Sequence, residues 1–346
     1  MPFRVLVAGG AGLVGSAVAT QLLSEGAEVV VVDALSPEGD GRAVRETRLA
    51  ALRAFPKSTI VTADLSLPGA AAEVFRTHRP AAVVNAALFA PGATGLDAIL
   101  EAMRDDEAPF LVHLSDGALY GASEKPFEPA TEDEAVDPGR DPVLLQRLVE
   151  EERLRASGVP GVVLRLFGLL APGAPPNRFP QDALEAFLDG DEVVLPSDAP
   201  RDLLHLRDAV HGILAALALR PAGKTINLGG GRWFAPSHVV RLLGEKAFRQ
   251  VRVRVEGKEV RPGRIASLAR AGELLRFRPK TTLEKAVEEI VAARLGAPET
   301  TTSRPGTAPA LRPDPAPAPP RPEPREVSRR DLFGLFRRPF DPRERR

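Results

Sequence analysis

The first 33 residues constrain the fold more than any other part of the chain. An apolar run rich in valine, Val5 to Ala8, enters a turn that carries glycines at positions 9, 12 and 15. The sequence continues as a helical stretch from Ser16 to Glu25 and returns as a second valine run that ends at Asp33. This order predicts a strand, a glycine loop, a helix and a second strand.

The three glycines of this turn have separable physical roles. Gly9 permits a tight exit from the strand, Gly12 lets backbone N–H groups approach a pyrophosphate at the helix N-terminus, and Gly15 lets the helix pack closely on the sheet. The loop follows a strand, opens a helix and has an acid at the right distance, which favours a dinucleotide site. A structural glycine turn without a cofactor is the alternative.

Asp33 indicates which dinucleotide to expect. It ends the second strand, where a carboxylate can accept both ribose hydroxyls of an adenosine. A 2′-phosphate at the same place would meet the negative charge of Asp33. NAD is therefore expected in preference to NADP.

Composition excludes several other classes of protein. There is no cysteine, which removes disulfides, thiolate nucleophiles and cysteine metal sites, and the five histidines are scattered, so no metal site is predicted. The formal net charge is zero, which gives no electrostatic case for nucleic acid. No signal peptide or transmembrane segment is predicted, and a cytoplasmic protein is expected.

The alternation of strands and helices predicts a doubly wound, Rossmann-type parallel α/β sheet over residues 1–170. A smaller α/β substrate lobe, interleaved with the last strands of that sheet, is predicted over residues 171–297. The proline-rich segment 298–327 is predicted to be a disordered linker. The basic aromatic motif 328–346 is predicted to be a docking peptide for a protein partner, a weak contact for an anionic membrane surface, or a solvated chain end.

Several motifs occur together in the order of a known family. They include Gly9-x-x-Gly12-x-x-Gly15, Asp64-Leu65, Val83-Val84-Asn85-Ala86-Ala87, Leu119-Tyr120-Gly121, Leu164-Arg165-Leu166-Phe167 and Arg201-Asp202-Leu203-Leu204-His205. With them, residues 3 to 293 resemble the extended short-chain dehydrogenase/reductases of the NAD-dependent epimerase/dehydratase group. Because the motifs follow one another in family order, the resemblance supports the predicted fold.

The resemblance implies a set of cofactor-binding residues. The glycine loop would surround the pyrophosphate, Asp33 would hold the adenosine ribose, and Asp64 with Leu65 would meet the adenine edge. The segment after the fourth strand would contact the ribose and phosphate from the other side. For Asp64, a helix-capping or turn acid is an equal alternative. The implied positions are Gly9, Gly12, Leu13, Val14, Gly15, Asp33, Asp64, Leu65, Asn85, Ala86 and Ala87.

The catalytic positions of the family are not matched. Its members use a tyrosine phenolate as the base, and a lysine four residues later stabilises the anion. Here the tyrosine position is Val143 and the lysine position is Arg147. The Ser/Thr position is Asp116, and the position of a helical asparagine is Gly92.

Three residues remain as catalytic candidates. Asp116 can act as a base or form an ion pair with Arg147, and the ion pair is favoured. Tyr120, the one tyrosine of the chain, is expected to be the structural tyrosine of the family. Arg201 and Arg261 match positions that bind a nucleotide diphosphate in relatives, with surface ion-pairing residues as the alternative.

Three functions follow from this pattern. The first is an NAD-binding protein of the epimerase/dehydratase type with lost or altered redox activity, which binds a nucleotide-sugar ligand or acts as a scaffold. The second is an active nucleotide-sugar epimerase, dehydratase or reductase that uses Asp116 and Arg147. The third is an interaction scaffold that acts through its C-terminal tail. The resemblance also implies a homodimer, formed through a face that includes residues 143–156.

Overall fold

The structure is a computed structural model that describes residues 3–36, 41–104, 108–122, 128–175, 178–190, 192–257 and 263–296. Its strands are β1 (Arg4–Ala8), β2 (Glu28–Asp33), β3 (Ser58–Thr62), β4 (Ala82–Asn85), β5 (Phe110–Asp116), β6 (Gly161–Leu166), β7 (Gly168–Leu170), β8 (Glu192–Leu195), β9 (Arg201–His205), β10 (Lys224–Leu228), β11 (Trp233–Phe234) and β12 (Arg252–Val255). Its α-helices are α1 (Leu13–Ser24), α2 (Arg42–Arg53), α3 (Ala70–His78), α4 (Gly95–Ala102), α5 (Pro142–Ser157), α6 (Gln181–Asp189), α7 (Leu206–Leu219), α8 (Pro236–Lys246), α9 (Ala269–Leu275) and α10 (Leu283–Leu295). A short 3-10 helix follows β5 at Gly117–Tyr120.

A seven-stranded sheet forms the centre of the fold. Its strand order is β10-β6-β5-β4-β1-β2-β3, and every neighbouring pair is parallel. The predicted doubly wound α/β fold is therefore confirmed. The strand order changes direction at β1, which lies between β2 and β4. In open parallel sheets, ligands bind at the carboxyl ends of the strands beside this point.

The sheet is covered on both faces, as the continuous valine runs require. Successive side chains of a strand point to opposite faces, so Val5 and Val7 pack with α1, α2 and α7, whereas Leu6 and Ala8 pack with α3 and α4. Both clusters are buried. The two packed layers fix the carboxyl ends of β1, β2, β4 and β5 relative to one another.

The second half of the chain contributes to two smaller sheets and to the large one. β10 joins the large sheet beside β6, while β11, β9 and β7 form a three-stranded sheet and β12 pairs with β8. β7 and β11 have three and two residues, and segments this short carry too little periodicity to be recognised in the sequence. Segments 298–327 and 328–346 lie outside the described residues.

Candidate functional site

The glycine loop joins β1 to α1 at the carboxyl edge of the sheet. Gly9 has a φ of +70°, and a Cβ there would lie 2.6 Å from the N and Cα atoms of Ala87. A Cβ at Gly15 would overlap the Gly9 carbonyl oxygen. The backbone thus needs Gly9 for conformation and contact, and Gly15 for contact alone.

The N-terminus of α1 opens directly behind this loop. Gly12 is its N-cap residue, and no side chain caps the first turn. The N–H groups of Leu13 and Val14 are therefore available to a ligand, and the helix dipole favours an anion at this end. This is the local geometry of a phosphate site.

Asp33 connects the loop to β2. Its Oδ2 accepts the Ala11 N–H at 2.9 Å, and its Oδ1 accepts the Leu35 N–H at 2.8 Å. Arg45 of α2 also donates to Oδ1 at 3.1 Å. The Asp33 side chain therefore orients the glycine loop through its own hydrogen bonds. The positively charged side chain of Arg45, which was not predicted from the sequence, lies beside it. No spacing rule connects Arg45 to a β2 carboxylate, so the sequence carried no signal for this contact.

The side chains of Asp64 and Asn85 make internal hydrogen bonds. Asp64 Oδ1 accepts from Ser66 N and Oγ at 2.9 and 2.6 Å, which is the arrangement of a turn acid, one of the alternatives to adenine binding. Asn85 is fully buried and its Oδ1 accepts the Ala87 N–H at 3.2 Å. Its amide therefore shapes the segment Ala86–Ala87 rather than facing the solvent. Leu65 is buried in the core.

Val143 and Arg147 lie one turn apart on the same face of α5. Arg147 donates to Glu150 Oε2 at 2.8 Å and to the Ala87 carbonyl oxygen at 3.1 Å. Among the described residues Arg147 pairs with Glu150 and not with Asp116, so the predicted Asp116–Arg147 ion pair is wrong. The Glu150 carboxylate, three residues further along the same helix face, forms the ion pair with the Arg147 guanidinium instead.

Asp116 ends β5 at the same edge of the sheet. It caps the following 3-10 helix by accepting the Ala118 N–H at 2.8 Å. Asp116 is exposed to solvent. Partial desolvation by neighbouring protein atoms nevertheless raises the pKa of the Asp116 carboxyl above its ordinary value, against the Ala118 N–H and the charges of Arg147 and Arg178. A raised pKa brings a carboxylate closer to the range of a useful base.

Tyr120 lies in the interior of the protein. It is 3 % exposed, and its hydroxyl donates to Asn227 Oδ1 at 2.9 Å. The Arg165 guanidinium lies over its ring at 4.9 Å from the centroid. Burial raises the pKa of the Tyr120 phenol, with Arg165 and Asn227 opposing. A buried phenol with a raised pKa is a poor base, and its hydrogen bond to Asn227 indicates a structural role for Tyr120.

Tyr120→Phe is therefore expected to reduce stability alone. Removing the hydroxyl leaves Asn227 Oδ1 buried without its donor, which costs about 1 kcal/mol of unfolding free energy. Urea unfolding measures that loss, and calorimetry with NAD is expected to give the same result for Tyr120→Phe as for the wild type. A loss of cofactor affinity or of turnover in Tyr120→Phe would contradict the structural role.

Charged side chains of α5 face the interior of the protein, while some of its apolar side chains face the solvent. Arg147, Glu150 and Glu151 are buried against the sheet, whereas Leu145 and Val149 are exposed. Two buried charge pairs make this possible: Glu150 with Arg147, and Glu151 with Arg165. Of these four residues, only Arg147 was predicted from the sequence. The signal that could have found Glu150 and Glu151 is their spacing from Arg147, which places all three on the helix face of the lysine position.

The remaining candidates lie at the edge of the site or outside the description. Arg201 is exposed in β9, and its guanidinium lies 5.4 Å from the centroid of the Phe179 ring. Arg261 lies outside the described residues. Within the described ranges, no group of three or more acidic or histidine side chains could hold a metal ion, and no helix has the length and hydropathy needed to cross a membrane.

Comparison with known proteins shows the family. A family profile described as the NAD dependent epimerase/dehydratase family matches residues 5–229, which include the glycine loop, Asp33 and Arg147. The chain belongs to this family. The match covers well over half of the chain, and it confirms the resemblance that the motifs indicated.

Individual relatives in the family agree with this assignment. A dTDP-6-deoxy-L-talose 4-dehydrogenase (NAD(P)(+)) of Kitasatospora kifunensis is 27 % identical over 328 residues, covering 86 % of this chain and 97 % of that protein. A UDP-glucose 4-epimerase of Azospirillum brasilense is 30 % identical over 294 residues, covering 72 % and 78 %. The crystal structure of a dTDP-glucose 4,6-dehydratase from Bacillus anthracis in complex with NAD has a TM-score of 0.77 and 21 % identity, covering 85 % of this chain and 96 % of that one. The structural similarity shows the fold.

Proposed function

We propose that this member of the epimerase/dehydratase family binds NAD and has lost or altered the redox reaction of its relatives. One observation carries the proposal: an intact glycine loop stands beside a helix whose tyrosine and lysine positions hold Val143 and an internally paired Arg147. A nucleotide-sugar ligand is supported by the names of the relatives, which act on UDP- and dTDP-linked sugars.

The proposed cofactor groove would lie between the glycine loop and the segment that follows β4, and its residues fit a dinucleotide. The loop brings its backbone close to the first turn of α1, where the N–H groups of Leu13 and Val14 would hold a pyrophosphate. Asp33 would accept the adenosine ribose hydroxyls, and Ala86 with Ala87 would form the opposite wall. When bound, NAD supplies a hydride acceptor. In the family, a tyrosine takes the proton from the substrate hydroxyl. Val143, at the tyrosine position, has no group that could transfer this proton.

Analysis of bound nucleotide tests the proposal directly. Purified protein is denatured, and the released small molecules are identified by chromatography and mass spectrometry. NAD recovered in proportion to protein, or a micromolar dissociation constant by calorimetry after its removal, is expected. If neither release nor calorimetry shows NAD, the binding proposal fails. Reduced-nicotinamide absorbance in a screen of UDP- and dTDP-sugars then tests turnover.

The preference for NAD over NADP is part of the proposal. The Asp33 carboxylate supports it because a 2′-phosphate would be repelled. Arg45 offsets part of that repulsion, since its Nη1 lies 3.1 Å from Asp33 Oδ1. Calorimetry with both dinucleotides measures the balance, and equal affinities would show that Arg45 cancels the effect of Asp33.

A second candidate function is an active nucleotide-sugar enzyme with a non-standard base. The raised pKa of Asp116 at the end of β5, with solvent access, supports it. The opposing observation is that Arg147, the second residue of this non-standard site, already forms hydrogen bonds with Glu150 and with the Ala87 carbonyl oxygen. The first proposal therefore takes precedence.

Asp116→Asn separates the two candidates. Asparagine keeps the acceptor for the Ala118 N–H and removes the base, so NAD affinity is expected to stay within about twofold. If Asp116 is a base, any turnover found in the sugar screen falls by about 10²-fold or more. Turnover that survives the substitution excludes Asp116 as the base, and turnover that disappears favours the second candidate.

We also propose that the chain forms a homodimer through the outer face of α5. Leu145 and Val149 lie one turn apart on that face and are 43 % and 39 % exposed. Leu145→Glu with Val149→Glu is expected to convert a dimer into a monomer, as measured by light scattering. Val44→Glu, at an equally exposed apolar residue of α2, is the matched control. A monomeric wild-type protein would overturn the proposal.

A further inference from the structure

A ring of polar contacts joins α5 to the end of β4. Arg147 Nη1 donates to Glu150 Oε2 at 2.8 Å, and Arg147 Nη2 donates to the Ala87 carbonyl oxygen at 3.1 Å. Asn85 Oδ1 accepts the Ala87 N–H at 3.2 Å, and Asn85 Nδ2 lies 3.0 Å from His113 Nδ1. Glu150 Oε2 lies 3.6 Å from His113 Nε2, which is an electrostatic contact and too long for a hydrogen bond, so His113 Nε2 is buried without a hydrogen-bond partner among the described residues.

The direction of the hydrogen bonds in this ring follows from the backbone. Because Asn85 Oδ1 accepts the Ala87 N–H, the Asn85 amide nitrogen faces His113 and can only donate. His113 Nδ1 therefore accepts, which places the proton of the neutral imidazole on Nε2, toward Glu150. Burial, with the Arg147 charge, lowers the pKa of His113 to about 3, so the imidazole is neutral near pH 7. The ring then contains one positive and one negative charge, which compensate each other.

The backbone that this ring holds is a wall of the proposed cofactor groove. Both polar backbone groups of Ala87 are engaged, its N–H by Asn85 and its carbonyl by Arg147. Ala87 in turn packs on the glycine loop so closely that a Cβ at Gly9 would lie 2.6 Å from its N and Cα atoms. A movement of Ala87 would therefore open or close the groove beside Gly9.

We infer that Arg147 is a positioning residue for the cofactor groove, which fixes the Ala87 backbone against the glycine loop. The residue at the lysine position of the family has thus exchanged contact with the cofactor for support of its binding wall. The neighbouring Gln146 also ties α5 to the backbone that follows β4. Its Oε1 accepts the Gly92 N–H at 3.0 Å, and its Nε2 donates to the Ala93 carbonyl oxygen at 3.3 Å. The consequence for cofactor affinity rests on the proposed NAD binding.

Two variants test this role. Arg147→Met with Glu150→Gln removes both buried charges together, so that no uncompensated charge remains in the interior. Arg147→Lys keeps the charge opposite Glu150, but one compact ammonium group replaces the planar fork that reaches both Glu150 and Ala87. Arg155→Met is the matched control, because Arg155 lies on the same helix, is exposed, and contacts only Glu151, at 3.6 Å, among the described ion pairs.

Hydrogen–deuterium exchange of the cofactor-free protein reports the positioning itself. Both variants are expected to increase exchange about tenfold in peptides that cover residues 8–15 and 85–93, with exchange in β6 and β10 unchanged. The NAD dissociation constant is expected to rise about tenfold when measured by calorimetry well below the melting temperature. Arg155→Met is expected to behave as the wild type in both measurements.

The two measurements separate the inference from the function on which it rests. Unchanged exchange at 8–15 and 85–93 in both variants would overturn the positioning role, whether or not NAD binds. Faster exchange with an unchanged NAD dissociation constant would overturn the link between Ala87 and the groove. A wild-type protein that binds no NAD would end the proposed function, while faster local exchange in the variants would still support the positioning of Ala87.

Discussion

Replacing Gly15 by alanine is expected to abolish the proposed NAD binding and to destabilise the protein by about 3 kcal/mol. The new methyl group would overlap the Gly9 carbonyl oxygen and lie 2.9 Å from Gly10 Cα. Both neighbours are backbone atoms of the loop, so no side chain can rotate to make room. The loop must move, and the N–H groups at the start of α1 then lose their position.

Urea unfolding and NAD calorimetry measure the two effects of Gly15→Ala. Gly190→Ala is the matched control, since Gly190 has extended backbone with a φ of −160° and a Cβ there meets no atom within 4 Å. A Gly15→Ala protein with the urea midpoint and NAD affinity of Gly190→Ala would show that the loop is more adaptable than its packing indicates.

Replacing Glu151 by alanine is expected to reduce the unfolding free energy by about 3 to 5 kcal/mol. Glu151 is fully buried and accepts from Arg165 Nε and Nη2 at 2.9 and 2.7 Å and from Ser115 Oγ at 2.6 Å. Its removal leaves the Arg165 guanidinium in the interior without an opposite charge. The cost is that of an uncompensated buried cation, which exceeds the worth of the hydrogen bonds alone.

Glu152→Ala provides the comparison for Glu151→Ala. Glu152 is the next residue of α5 and is exposed, so its removal is expected to change stability by about 0.5 kcal/mol or less. Glu151→Gln, which keeps the acceptor oxygen for Ser115, is expected to fall between the two. Urea midpoints of Glu151→Ala and Glu152→Ala that coincide would contradict the buried ion pair as a source of stability.

These buried pairs show where sequence reasoning was limited. A helix with valines and leucines at positions 143, 144, 145, 148 and 149 indicates an apolar face toward the sheet, yet only Leu154 of α5 belongs to a buried apolar cluster. The charged side of the helix is buried because partners from β5 and β6 meet it. Ser115 and Arg165 lie 36 and 14 residues away from Glu151 in the sequence, and no local pattern encodes that encounter.

The candidate catalytic residues show the same limit. The positions of Val143 and Arg147 on one helix face follow from the helical period, and the structure agrees with them. The predicted partner of Arg147, Asp116, was wrong. Asp116 lies 31 residues away along the chain, whereas the actual partner, Glu150, lies one turn further along the same helix and was not considered. The hydroxyl of Tyr120 is turned inward by Asn227, which is 107 residues away.

The sequence by itself determined the parallel sheet and the glycine loop. Both depend on local constraints: apolar runs that need cover on two faces, and glycines where a Cβ would meet backbone. The tertiary structure alone decided how the charges of α5 are used. Arg147 reaches the Ala87 carbonyl 60 residues away, because the charged face of α5 is turned inward. Because Arg147 is buried, it must have these partners: an unpaired charge in the protein interior would cost too much free energy.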